Sequence, residues 1–368
     1  MGDCEYFPLI DLSSYLNDRK NAVDDCKMVA DLLHQYGFLC VRDPRVNDQY
    51  NEEFLDMLEK YYEQSDQIKS KDIRKEVFYQ VGLTPTRTER ARNYCQFVEN
   101  LDQTEKPLTI CPPGRFHISS RQDVDCIGLF VDFDSKVRFF WRIGDVPCQT
   151  DFPQLHADPV IPENFPQWRR VMNNWGNLLL ETAITVSEMC ACGLDLPIDT
   201  FRSKMNYGPH LLAPTGSDLS RFGQVGTVLA AFHCDINFLT VHGRSRFAGL
   251  FIWTRQGQRS IVNVPRGCLL LQAGKQFEYL TGGHVLAGFH EVVVSEQTVE
   301  TIDQALKAGR SLCRVSSTMF THIASDQILE PLQPFRNAQT LKIYPPIQAG
   351  AQLLAELKAV NIITSDLL

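Results

Sequence analysis

Gly226-Thr227-Val228-Leu229-Ala230-Ala231-Phe232-His233-Cys234-Asp235 reads as a strand that closes on a His-x-Asp pair. Residues i and i+2 of an extended chain point to one side, so the His233 imidazole and the Asp235 carboxylate converge. Further on, Gly288-Phe289-His290-Glu291-Val292-Val293-Val294 offers a second strand, its β-branched run favouring extended backbone. Two imidazoles and one carboxylate are the ligand set of a non-haem iron(II) site, with the opposite face of the metal open. The competing reading makes His233 and Asp235 polar sheet-edge residues and His290 a hydrogen-bonded core histidine, since a lone His-x-Asp is common by chance. His284, in Gly283-His284-Val285, is the alternative third ligand. Gly282 and Gly283 read as a turn there, whereas a metal ligand is better held on a strand.

Around these residues, from 208 onward, short strand candidates follow one another at 209–213, 226–234, 237–243, 249–254, 260–264, 268–272, 276–280, 287–294 and 312–321. Gly, Pro, Asn and Asp separate most of them, which predicts an antiparallel sandwich or barrel rather than a Rossmann sheet. The expected architecture is mainly β with flanking helices: a double-stranded β-helix (jelly-roll) barrel with the metal near its mouth. Residues 164–193 keep one apolar stripe through Trp168, Trp175, Leu179 and Val186, and predict a long supporting helix.

Toward the N-terminus, residues 6–12 predict a strand, 20–36 a helix ended by Gly37, 38–41 a strand and 50–75 a charged amphipathic helix. Residues 80–162 are rich in Pro, Gly and Arg with weak periodicity. Residues 198–206 and 346–362 predict short helices. The chain divides into a mixed α/β region with helices over 1–162 and a helix-supported jelly-roll region over 163–368, expected to form one compact unit.

Composition narrows the function classes. The 368 residues are 44% hydrophobic and 22% charged, as in an ordinary folded protein. There are 44 acidic residues against 36 Lys plus Arg and no basic run, so a nucleic-acid partner is not expected. No apolar stretch reaches the roughly 18 residues that span a bilayer. The N-terminus lacks the basic-then-apolar order of a secretory signal. Met1-Gly2 with Cys4 resembles an acylation signal, but Tyr6 stands where Ser or Thr belongs and Asp3 and Glu5 would repel an anionic membrane. The 12 cysteines are scattered, which fits reduced thiols in a cytoplasmic protein. Oligomeric state has no signature.

The remaining informative stretch is Cys313-Arg314-Val315-Ser316-Ser317-Thr318-Met319-Phe320. On a strand, Arg314 and Ser316 share a face. A guanidinium turned into a pocket needs an anion, and its planar fork suits a carboxylate. A neighbouring hydroxyl can add a hydrogen bond. The competing reading pairs Arg314 with a surface acid and puts Ser316 in a turn.

With these residues the chain resembles the isopenicillin N synthase-like family of Fe(II) and 2-oxoglutarate-dependent oxygenases. Pro8-Leu9-Ile10-Asp11-Leu12, Tyr36-Gly37-Phe38, Val81-Gly82-Leu83-Thr84-Pro85, Leu239-Thr240, Gly249-Leu250, Val264-Pro265-Arg266-Gly267 and Leu280-Thr281-Gly282-Gly283 extend the likeness over most of the chain. The resemblance implies Fe(II) on His233, Asp235 and His290. It implies the distal carboxylate of 2-oxoglutarate on Arg314 and Ser316, with ascorbate a candidate reductant. The implied activity is oxidation of a small-molecule substrate by O2, with formation of succinate and CO2.

The chain departs from the family at three places. The interval from His290 to Arg314 is long, with residues 297–310 reading as an inserted charged helix or loop, and Arg310 competes with Arg314 for the co-substrate. Leu211-Leu212-Ala213-Pro214 lacks the hydroxyl of the family's Asn-Tyr-Tyr-Pro stretch. Glu291 follows the distal histidine where a basic residue is usual. His242, Arg244, Arg246 and the stretch from Thr86 to Arg92 read as solvated loops before they read as substrate contacts. An oxidase of the same fold that does not use 2-oxoglutarate, a non-catalytic metal- or metabolite-binding barrel, and a zinc hydrolase remain as alternatives, the last without a His-Glu-x-x-His helix to support it.

Overall fold

The computed structural model describes residues 8–89, 136–253 and 259–364. Two sheets build the jelly roll. The smaller has four antiparallel strands in the order Arg259–Ile261, Leu250–Trp253, Phe289–Val293, Val228–Cys234. The larger has ten strands. Its centre is Cys268–Ala273, Leu239–His242, Thr318–Thr321, His210–Leu212 and Val137–Ile143. Thr215–Asp218 and Cys313–Val315 extend one end. Phe38–Arg42 and Leu9–Asp11 extend the other. Strands from both 1–162 and 163–368 therefore share this sheet.

The helix Trp168–Gly193 supports the larger sheet from outside. Its stripe buries Trp168, Val171, Met172, Trp175 and Leu179. Burying each such side chain is worth about 1.5–3 kcal/mol relative to exposure. Gly176 sets the closeness of approach, because a Cβ there would lie 2.5 Å from the Ile143 side chain. Trp175 Nε1 donates to Ser317 Oγ at 2.7 Å, and Ser317 Oγ donates to Asn51 Oδ1 at 2.9 Å. The helix Val23–Tyr36 packs on the same supporting helix. It ends where Gly37, at φ +75°, takes the left-handed turn that glycine accommodates at least cost.

Three sequence expectations change. Residues 276–280 alternate like a strand but form the helix Lys275–Leu280, which puts Phe277 and Leu280 together in the core. A one-turn segment satisfies both periods, and burial decides between them. Residues 312–321 form two strands rather than one. Cys313–Val315 pairs with Thr215–Asp218, whereas Thr318–Thr321 pairs with Leu239–His242 and His210–Leu212. The 50–75 helix stops at Tyr62 and resumes as Asp66–Lys69. Residues 297–310 contain the helix Glu296–Lys307, begun by a Ser295 capping box. Residues 90–92 of the Arg-rich stretch lie outside the described residues. Among the described residues no helix is long and apolar enough to cross a membrane.

Two buried histidines, His210 in a strand of the larger sheet and His322 directly after Thr318–Thr321, give stability a pH dependence. Burial is the main cause that pulls His210 down to about 4. Burial, then repulsion from His210 and His156, pulls His322 down to about 3. Both folded values lie below the ordinary 6.5, so the unfolded chain takes up these protons first. Their contribution is complete above pH 6.5 and is lost as pH falls toward the folded values. At pH 5 the two together should cost about 4 kcal/mol relative to pH 7.5. Thermal melts of the metal-free protein across that range check this, and a His322→Gln variant should flatten the dependence. A melting temperature independent of pH from 7.5 to 5 would contradict it.

Candidate active site

His233 lies in the strand Val228–Cys234, directly opposite His290 of Phe289–Val293 in the antiparallel ladder. Opposed residues on one face bring their Cβ atoms within about 5 Å. Strand register therefore delivers the third residue of the set, and the ring centroids are 4.2 Å apart. Asp235 follows the strand end, its Oδ1 3.7 Å from His233 Nε2. One ligand atom from each of His233, Asp235 and His290 lies within 4.8 Å of the other two. Among the described residues this is the single His, Cys, Asp and Glu group that could hold a metal. The ladder shifts register between His290 and Val292, the kind of bulge that re-aims side chains beside sites. His284 is elsewhere: its ring stacks on His34 at 4.1 Å and on Phe335 at 5.2 Å. Cys234 packs with Phe232, Ala287 and Phe289.

The surrounding frame leaves the right atoms for a metal. His233 Nδ1 donates to the Ala231 carbonyl at 2.6 Å. The Gln272 side-chain amide, from the facing sheet, lies 2.9 Å from His290 Nδ1 and donates to the Gly288 carbonyl at 3.0 Å. Because the Ala231 carbonyl can only accept, the His233 hydrogen sits on Nδ1 and its Nε2 lone pair is left for a metal, while Gln272 fixes the orientation of the His290 ring. Thr240 Oγ1 donates to Asp235 Oδ2 at 2.6 Å, leaving Oδ1 toward His233. Burial first, then the neighbouring His233 and His242, holds His290 well below the usual histidine range, so its ring is neutral at pH 7. A neutral imidazole is the form that ligates. Two imidazoles, one carboxylate and a cavity on the open side fit a divalent first-row metal. Gln272→Leu should weaken metal binding about 10–100-fold with the fold retained, as loss of a ligand-orienting partner does. Chelator competition reads this, and an unchanged affinity would remove Gln272 from that role.

A cavity of about 570 Å³ runs from the triad to Arg314 and Ser316. Arg314 stands opposite Ser217 in the ladder and is only 6% exposed. Its Nε donates to the Ala248 carbonyl at 3.2 Å. Among the described residues no carboxylate pairs with it. Burial pulls the guanidinium down to about 10, so it stays charged at neutral pH. Ser316 Oγ accepts from the Thr215 amide at 3.0 Å, which leaves the hydroxyl hydrogen to donate. Arg310 lines the same cavity from an exposed position.

Several cavity residues were not read from the sequence. Thr215 and Ser217 bring hydroxyls to the Arg314 end, where Leu211-Leu212-Ala213-Pro214 has none. The signal for them was the Thr-x-Ser alternation just after that stretch. His242 is buried, not solvated, and its Nε2 lies 3.4 Å from Gln272 Oε1. Arg246 is held by Glu52, Asp56 and Glu59 of the helix Asp48–Tyr62, each at 2.7 Å. Glu291 pairs with Arg259 Nε at 2.7 Å and accepts from Trp253 Nε1 at 3.2 Å.

No family model and no curated protein sequence matches the chain. Solved structures do match along nearly its whole length. A Caulobacter crescentus protein described as of the 2OG-Fe(II) oxygenase family aligns with TM-score 0.71 at 21% identity, over 96% of this chain and 99% of that one. A full-length Neurospora crassa protein, solved in complex with alpha-KG, aligns with TM-score 0.69 at 16% identity over 96% of each chain. JOX2, solved with 2OG, Fe and JA, aligns with TM-score 0.65 at 16% identity, over 96% of this chain and 85% of that one. The chain has the jelly-roll fold of the 2OG-Fe(II) oxygenases.

Proposed function

We propose that this chain is an Fe(II)- and 2-oxoglutarate-dependent oxygenase that oxidises a small molecule. His233, Asp235 and His290 would hold the iron, and Arg314 with Ser316 the distal carboxylate of 2-oxoglutarate. The observation that carries the reading is Arg314: a buried, charged guanidinium, with no carboxylate partner among the described residues, lining the same cavity as the His-Asp-His group. A buried charge is tolerable only if something compensates it, and a dicarboxylate reaching back to a metal does so. That the Neurospora crassa protein and JOX2 were solved with alpha-KG or 2OG bound supports the same reading.

When bound, Fe(II) and 2-oxoglutarate would supply oxidising power from O2, the co-substrate leaving as succinate and CO2. The protein's part is orientation and exclusion of side reactions. Gln272 and the Ala231 carbonyl fix the two rings, and Thr240 fixes the carboxylate. Arg314 would set the co-substrate's direction. The test is succinate formation from 2-oxoglutarate by purified protein with Fe(II), O2 and ascorbate, with and without candidate substrates. Oxygen uptake without succinate would favour the oxidase of the same fold. Stoichiometric iron binding with neither would favour a non-catalytic barrel.

A further inference from the structure

The cavity shared by the triad and Arg314, about 570 Å³, is larger than 2-oxoglutarate needs. Pockets of roughly 300–1,000 Å³ take drug-sized ligands, and 2-oxoglutarate has only five carbons. Part of the remaining wall is the helix Glu296–Lys307, which the sequence inserts between His290 and Arg314. Gln297, Thr301 and Gln304 line the cavity, and their spacing of four and three puts them on one face of that helix. Gln297 and Gln304 are exposed, as are Arg266 and Arg310 on the same cavity, so the cavity reaches the protein surface here.

This surface end adjoins the receptor guanidinium. Thr298 Oγ1, in the first turn of the helix, donates to the Ala248 carbonyl at 3.3 Å, and Arg314 Nε donates to the same carbonyl at 3.2 Å. The helix start and Arg314 therefore meet at one oxygen. The chemistry at this end is one-sided. Glu296, Glu300 and Asp303 belong to the helix but do not line the cavity; the helix residues that do are two amides and a hydroxyl. Glu52, the one acid besides Asp235 among the described lining residues, is taken by Arg246 at 2.7 Å. Arg266 and Arg310 have no carboxylate partner among the described residues. In a chain of formal charge -8 they make a local positive field, the kind that draws anions toward a cleft.

Arg314 is buried, so a dianion needs a passage to it. Stripping a charged group of water is costly unless its hydrogen bonds are replaced. Gln297, Thr301 and Gln304 offer amide and hydroxyl donors for that replacement. We propose that this surface end is the co-substrate's own mouth, built for a small dicarboxylate. Arg266 and Arg310 collect 2-oxoglutarate, the face of Gln297, Thr301 and Gln304 passes it to Arg314, and succinate leaves the same way. This inference rests on the reading of Arg314 as the co-substrate receptor.

The test is stopped-flow binding of 2-oxoglutarate to anaerobic Fe(II)-loaded protein, read by the absorption of the iron chelate at low and high salt. Arg266→Glu combined with Arg310→Glu should slow association about tenfold at low salt, and the difference should vanish at high salt. Dissociation should be unchanged, because both residues act before the co-substrate is seated. Arg310→Ala alone makes a quarter of that change in charge and should stay within about twofold. Lys20→Glu combined with Lys27→Glu makes the same change in net charge at two exposed positions off the cavity, and should leave association within about twofold. Thr301→Trp should narrow the mouth and slow association and dissociation by one factor with Kd unchanged, a pattern that neither misfolding nor a lost contact produces. Association unmoved by the arginine reversals, slowed as much by the lysine reversals, or unmoved by Thr301→Trp overturns the proposal. Failure of 2-oxoglutarate to bind the parent would overturn the co-substrate reading and this inference with it. Normal, Arg314-dependent binding with unmoved rates would overturn this inference alone.

Discussion

Asp235→Ala is expected to abolish iron-dependent turnover and to bring metal loading to background, in a chain that still folds. The carboxylate is the one anionic donor of the triad, and two imidazoles alone do not neutralise a divalent ion. Losing an orienting neighbour of a ligand already costs about 10–100-fold in metal affinity, so losing the ligand costs more. The fold should survive because Asp235 closes the strand toward a cavity. Among the described residues its one side-chain donor at hydrogen-bond distance is Thr240 Oγ1, which has a second acceptor in Asn237 Oδ1 at 3.1 Å. Removing a buried carboxylate from the metal-free protein also removes its desolvation cost. His233→Ala should behave alike. Metal analysis, oxygen uptake and a thermal melt on one preparation separate the outcomes. Turnover at the normal rate in either variant would remove the assignment, and collapse of the melting temperature would make these residues structural.

What was legible in the sequence followed from period and from chemistry. Turn residues between the short segments marked 226–234 as a strand and the β-branched run marked 287–294, and His-x-Asp on the first with His290 on the second located the centre before any pairing was known. Their direct opposition could not be read, because register belongs to the ladder and to the bulge after His290. The long helix was legible because its stripe persists over many turns. Lys275–Leu280 was not, since six residues fit either period and the core position of Phe277 and Leu280 is a tertiary fact. The strand Val137–Ile143 was hidden for a related reason. Phe139, Phe140, Trp141 and Ile143 are all buried, so the apolar–polar alternation that identifies a half-exposed strand is absent. With that strand went Arg138, which lines the cavity and pairs with Glu89. Polar cavity residues such as Ser217 and His242 were legible as residues but not as neighbours of Arg314 and Gln272.

Arg314→Ala should raise the 2-oxoglutarate requirement by about a hundredfold, since truncating one side of a buried charge pair costs roughly 2–5 kcal/mol. Metal binding should hardly change, because Arg314 does not touch the triad. The sign of the stability effect separates function from structure. If Arg314 served the fold, its removal would lower the melting temperature. In the ligand-free chain, however, its charge is buried with no carboxylate partner among the described residues, and its hydrogen bond to the Ala248 carbonyl is a single neutral-acceptor contact. Removing an uncompensated buried charge relieves a desolvation penalty. The variant without 2-oxoglutarate should therefore melt at or above the parent, while saturating 2-oxoglutarate should raise the parent's melting temperature and not the variant's. Arg310→Ala, at an exposed position on the same cavity, should shift the 2-oxoglutarate requirement less than twofold. A large shift in Arg310→Ala with none in Arg314→Ala would move the carboxylate receptor to Arg310, and a destabilised Arg314→Ala with normal 2-oxoglutarate affinity would return Arg314 to a structural role.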